Sequence, residues 1–70
     1  MGVVIDREEF VRKVLEELRK ADRKLHEKLC AAVEREDAWA REVLETAYRL
    51  NLLFGFAHAC EKLKRLVEVA

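Results

Sequence analysis

The chain has 70 residues, and because 14 are basic and 14 are acidic its formal net charge is zero. A chain this short buries only a modest core, so it needs very regular helices, a covalent staple or a partner subunit to be stable. Because the charges balance, neither a nucleic-acid surface nor an acidic tail dominates, and long-range electrostatic attraction to DNA is weak. We therefore predict a single domain over residues 1–70 that does not bind nucleic acid.

Proline is absent and glycine occurs twice, while 40% of the residues are charged and 51% are hydrophobic. The remaining residues are mostly good helix formers, which favours helices throughout the chain. Few amide side chains and many opposite charges are also typical of thermostable proteins, natural or engineered. The predicted fold class is therefore all-α.

No targeting segment or membrane span is recognisable in the sequence. The longest run without Asp, Glu, Lys or Arg covers residues 50–60, which is shorter than the ~18 residues that a membrane helix needs. The N-terminal stretch lacks the basic segment and cleavage site of a secretory signal. We predict a soluble, cytoplasmic protein without a membrane partner, whose two cysteines are free thiols.

The first predicted helix begins after Asp6. Asp6 is a good N-cap and Glu9 lies at the third helical position, as in a capping box, while Ile5 can pack against Phe10 as a hydrophobic staple. A helix over residues 7–35 places the main apolar residues in one stripe. That stripe consists of Val11, Leu15, Leu18, Leu25, Leu29 and Ala32.

Asp22 interrupts this stripe. It could cap a second helix and divide the segment, which would produce a three-helix bundle. However, the surrounding sequence contains no Gly, Pro, Ser or Asn that would favour a turn. We therefore expect one long helix and keep the break near Asp22 as the alternative.

The second predicted helix covers residues 38–69, after a turn near residues 36–37 where Asp37 is the best available N-cap. A single unbroken helix through the turn is disfavoured, because it would place Glu36, Thr46 and Lys64 in an apolar seam. The sequence therefore predicts a long helical hairpin.

The second helix carries two apolar stripes, displaced from each other by about 100°. One stripe consists of Ala40, Val43, Ala47, Leu50, Phe54 and Ala57, and the other consists of Leu53, Phe56, Cys60, Leu63, Val67 and Ala70. Such a helix either breaks near Gly55, which again gives a three-helix bundle, or contacts a second chain with the stripe that the hairpin leaves uncovered. We favour the second interpretation, a homodimer that forms a four-helix bundle. The predicted interface consists of Leu53, Phe56, Cys60, Leu63 and Val67.

Five side chains are candidate zinc ligands. Three of them, Asp22, His26 and Cys30, follow one another at four-residue spacing. No CxxC, HExxH or ExxH motif occurs. Along one hairpin Cys30 and Cys60 would be ~24 Å apart, too far for a disulfide or a shared metal, whereas an antiparallel dimer would bring them level. We predict no cofactor, with an interchain zinc site as the alternative. The candidates are Asp22, His26, Cys30, His58 and Cys60.

Basic residues cluster around residues 19–28, but acidic residues alternate with them, as in a solvated helix face with salt bridges. The basic residues are Arg19, Lys20, Arg23, Lys24 and Lys28. No glycine-rich loop or convergent polar cluster indicates catalysis. We predict a non-enzymatic assembly or protein-interaction module acting as a homo-oligomer. The alternatives are a metal-binding bundle with catalysis and a small nucleic-acid-binding dimer.

Overall fold

A computed structural model describes residues 6–70, which form four α-helices and no strand. Helix α1 spans Arg7–Ala21, α2 spans Arg23–Glu34, α3 spans Ala38–Phe54 and α4 spans Phe56–Val69. The predicted all-α fold class is confirmed. The predicted long hairpin is wrong, because both of its helices are broken, the first at Asp22 and the second at Gly55.

The break at Asp22 is stabilised by capping on both sides. Its backbone is extended, with φ −157° and ψ 103°. The backbone N–H donates to the Leu18 carbonyl at 2.7 Å and ends α1, while the carboxylate accepts from the Leu25 N–H at 3.2 Å and begins α2. One aspartate therefore ends one helix and caps the next. The prediction of a continuous helix is wrong because it assumed that a break needs a turn-forming residue such as Gly or Pro. Asp22 makes the break by capping alone.

The predicted N-cap of α1 is confirmed. The Asp6 carboxylate accepts a hydrogen bond from the Glu9 N–H at 2.8 Å. The Glu9 side chain lies 3.9 Å from the Lys13 ammonium, one turn further along the helix. Ile5, the other half of the predicted staple, lies outside the described residues.

Between α2 and α3 the chain turns through a left-handed residue. Glu36 has φ 58°. Its N–H donates to the Val33 carbonyl at 3.0 Å, and the Asp37 N–H donates to the Ala32 carbonyl at 2.9 Å. These two bonds form a Schellman motif, which satisfies the last carbonyls of α2. The Asp37 side chain makes no cap bond to α3 and instead pairs with Arg35 at 2.9 Å.

The break at Gly55 depends on backbone conformation. Gly55 has φ 103° and ψ 169°, a region open essentially to glycine alone. A Cβ added there would meet no atom within 4 Å, so space is not what requires glycine. The chain folds back at this residue, and α4 packs against α3.

Because α4 folds back, both stripes of the predicted second helix enter one core, whose largest fully buried side chain is Phe10. Its ring lies 5.4 Å from that of Tyr48 and 6.1 Å from that of Phe56, edge to face in both cases. Phe10 thus joins α1 to α3 and α4. The buried core comprises Phe10, Val14, Leu18, Leu29, Ala32, Ala40, Val43, Ala47, Ala59, Leu63 and Val67.

We predict that Phe10→Ala lowers the free energy of unfolding by about 3 to 5 kcal/mol, because it leaves a cavity where three helices meet. Val69→Ala is the control, since the Val69 side chain is 82% exposed at the end of α4. The control should change stability by less than about 0.5 kcal/mol. Urea denaturation followed by circular dichroism measures both, and equal losses in the two variants would contradict this account of the core.

Candidate functional site

The candidate site is the apolar corner, defined as Leu52, Leu53 and Phe54 at the end of α3. Their exposed fractions are 54%, 73% and 65%. Consecutive helical residues point about 100° apart, so three in a row cannot all face one core. Since α4 turns back at Gly55 immediately afterwards, all three large apolar side chains of this last turn are left exposed to solvent.

The apolar corner belongs to an uncharged stretch of the sequence. The corner lies within residues 50–60, a run without Asp, Glu, Lys or Arg in a chain that is 40% charged. The Phe54 ring contacts the His58 imidazole across the break, with centroids 5.1 Å apart and planes tilted by 46°. A contiguous exposed apolar surface of this kind usually marks an association site.

The structure divides the five residues of the predicted interface. Leu63 and Val67 are fully buried in the core of their own chain, and Phe56 and Cys60 are half-buried. Leu53 is the member that remains exposed. The fold-back at Gly55 causes this division, because it covers most of the second stripe within the chain.

Sequence reasoning missed two members of the apolar corner. Phe54 belongs to the predicted stripe that packs inside the hairpin, and Leu52 belongs to neither predicted stripe. The available signal was the run of three large apolar residues directly before a glycine. When a helix ends at such a run, its final turn has apolar residues on more sides than neighbouring elements can cover.

The candidate zinc ligands do not converge in one chain. The Cys30 Sγ lies 3.4 Å from the His26 Nε2, so these two are brought together. Asp22 instead caps α2, and His58 stacks on Phe54. Across residues 6–70, no group of three or more His, Cys, Asp or Glu side chains could hold a metal ion. A structural zinc site normally needs four ligands, and this pair supplies two.

The structure also lacks the straight helices on which the predicted interchain zinc site depends. The predicted alignment of Cys30 with Cys60 of a second chain required two straight arms of ~30 residues. The breaks at Asp22 and Gly55 divide both arms into shorter helices. Both cysteines are free thiols within the chain.

Burial raises the pKa of both thiols. For Cys60 burial is the main cause and the nearby Glu17 carboxylate adds to it, which raises the pKa to about 11. For Cys30 burial again comes first, followed by the Glu34 carboxylate, and the pKa is raised. A raised pKa favours the neutral thiol over the thiolate, which is the nucleophilic and metal-binding form.

Two of the clustered basic residues have partners within the chain. Lys20 lies 3.8 Å from the Glu17 carboxylate. The Lys28 ammonium donates to the Ala70 carbonyl at 2.6 Å and lies 5.9 Å from the centre of the Trp39 ring. Lys28 therefore links α2 to α3 and to the end of α4, which is a structural use of a charge that sequence reasoning placed on a solvated face.

No protein family, characterised protein or solved structure matches this chain. Within residues 6–70, no helix is both long enough and apolar enough to cross a membrane. The apolar corner is thus the feature from which function can be inferred.

We predict that Cys60 in the native chain reacts with iodoacetamide at pH 8 at least about tenfold more slowly than a thiol of pKa 9.0, because burial raises its pKa to about 11. Mass spectrometry of timed samples measures the rate. In denaturant both cysteines should react at similar rates, which shows that each is a free thiol. Fast modification of Cys60 in the native chain, or a bound metal that protects it, would contradict this prediction.

Proposed function

We propose that this chain is a non-enzymatic assembly module that associates with a second copy of itself through the apolar corner. The observation that carries the proposal is the exposure of three consecutive large apolar side chains within an uncharged segment. Exposing them to water is unfavourable, and burial against a partner removes that cost.

A second copy is the partner whose surface this patch fits best. In a twofold dimer the same patch faces itself, so it must be complementary to itself. The apolar corner contains no charged side chain, so no like charges meet at its centre when two copies face each other. Charged residues dominate the remaining surface and keep other faces hydrated.

The size of the apolar corner supports a reversible dimer. Burying a Leu or Phe side chain completely contributes about 1.5 to 3 kcal/mol, and these side chains are already partly covered. Six of them in a dimer contribute several kcal/mol, which is similar to the cost of association. A dissociation constant in the micromolar range corresponds to about 8 kcal/mol. Rigid contact of two corners alone would therefore give a dimer near or weaker than that range.

Catalysis and metal binding have less support. The nearest pairing of a nucleophile with a base is Cys30 with His26, and burial raises the pKa of that thiol. A nucleophilic pair also needs an orienting group and donors for a developing negative charge. A non-enzymatic role for this chain therefore remains the simpler proposal.

We predict that the unmodified chain dimerises at ~100 µM and that Leu53→Asp weakens the dimer at least about tenfold, because a charge would be buried in an apolar interface. Helicity should remain, since Leu53 is 73% exposed. Val69→Asp is the control, because Val69 is 82% exposed at the opposite end of α4.

Sedimentation velocity of all three chains tests the proposal. The control should dimerise like the unmodified chain. A monomeric unmodified chain at ~100 µM, or equal weakening by both substitutions, would contradict it.

A further inference from the structure

We propose that two copies associate by exchanging α4, with α3 and α4 joined through Gly55 into one continuous helix. The proposal rests on the self-association proposed above and specifies how the second copy is bound. In the folded-back form, α4 packs on its own chain. In the exchanged form, each α4 packs on the α1, α2 and α3 of the other copy.

The first observation is the difference between the two helix breaks. At Asp22 a side-chain carboxylate caps the following helix at 3.2 Å, which holds the break in place. At Gly55 the backbone N–H donates to the Asn51 carbonyl at 3.0 Å, but no side chain caps the start of α4. Both helices already run to the residues that flank Gly55, so rotation at one residue is enough to join them. Gly55 is therefore the weaker of the two breaks.

The second observation is the spacing of the apolar corner relative to the buried faces. Leu52 lies seven and eleven residues before Ala59 and Leu63, which are buried residues of α4. Phe54 lies seven residues after Ala47, which is buried in α3. On a continuous helix, residues seven or eleven apart lie on one face. Joining the helices therefore extends the buried face of α4 by one turn through Leu52, while Phe54 ends the buried face of α3 in both forms.

Leu53 fits the same pattern. It lies three residues before Phe56 and seven before Cys60, both half-buried in α4. Straightening would therefore bring Leu53 onto the face that a second chain covers. In the exchanged form Leu52 and Leu53 therefore join the face of α4 that a second chain covers, whereas the folded-back form leaves them in water.

The third observation is that a straightened chain cannot remain alone. The buried faces of α3 and α4 lie on nearly opposite sides of a continuous helix, about 160° apart at 100° per residue. Straightening would carry Leu63 and Val67 away from their own core and expose them. A second copy supplies the same α1, α2 and α3 surfaces, including Phe10 of α1 for Phe56. The exchange therefore preserves the core contacts and adds those of the apolar corner.

Two substitutions of Gly55 distinguish the folded-back form from the exchanged form. Gly55→Ala strains the folded-back form, because an L-residue rarely adopts φ 103°, and it favours a continuous helix. Replacing Gly55 with D-alanine, by chemical synthesis, has the opposite effect, since positive φ is the ordinary region for a D-residue. We expect Gly55→Ala to lower the dimer dissociation constant at least about a hundredfold and the D-alanine chain to dimerise less than the unmodified chain.

An intrachain distance identifies the exchange directly. Spin labels at Arg41 and Arg65, both exposed, can be attached through nonnatural amino acids so that both cysteines remain. A doubly labelled chain is diluted into excess unlabelled chain, and pulsed electron resonance measures the separation. A continuous helix places these positions about 36 Å apart, whereas antiparallel packing of α4 on α3 makes the distance much shorter.

A distance near ~36 Å in the dimer of the Gly55→Ala chain, and a short distance in the D-alanine chain, would support the exchange. A dimer that shows only the short distance would overturn the exchange and leave self-association through the apolar corner intact. If neither the unmodified chain nor Gly55→Ala dimerises, both the exchange and the proposed function are wrong.

Discussion

The backbone conformation of one glycine determines how the rest of the molecule packs. Residues 38–69 carry two apolar stripes that one straight helix cannot direct into one core. Gly55 resolves this conflict by adopting φ 103°, which lets α4 fold back so that Leu63 and Val67 join Ala47 in a shared core. The same change of direction leaves the last turn of α3 uncovered. The core and the exposed apolar corner are therefore two consequences of one backbone conformation.

Phe10 connects the folded-back helix to the remainder of the chain. Its ring meets Tyr48 on α3 and Phe56 on α4, on the two sides of the Gly55 break. These aromatic contacts favour the folded-back form, while the exposure of Leu53 opposes it. A small chain has a small free energy of unfolding. Modest differences in free energy can therefore change whether the folded-back or the exchanged form dominates. This balance is the physical reason for placing self-association at the corner between α3 and α4.

The all-α class, the Asp6 cap and the two stripes around Gly55 could be predicted from the sequence, because each depends on local residue type or periodicity. The break at Asp22 could not be chosen from the pattern, since an aspartate inside a helical stripe is compatible with both a cap and a solvated position. The exposure of Leu52 and Phe54 depends on where α4 goes after the break. Periodicity shows that a face exists, but the direction of the next helix determines whether that face is covered.

The most direct test of the fold-back is a nuclear Overhauser experiment on the monomeric fraction, with labelled chain diluted into unlabelled chain. The account predicts contacts from the Phe10 ring to the rings of Tyr48 and Phe56 within one chain, and an interruption in sequential helical amide contacts at Gly55. Uninterrupted helical contacts across residues 51–59, without a Phe10–Phe56 contact in the monomer, would contradict it.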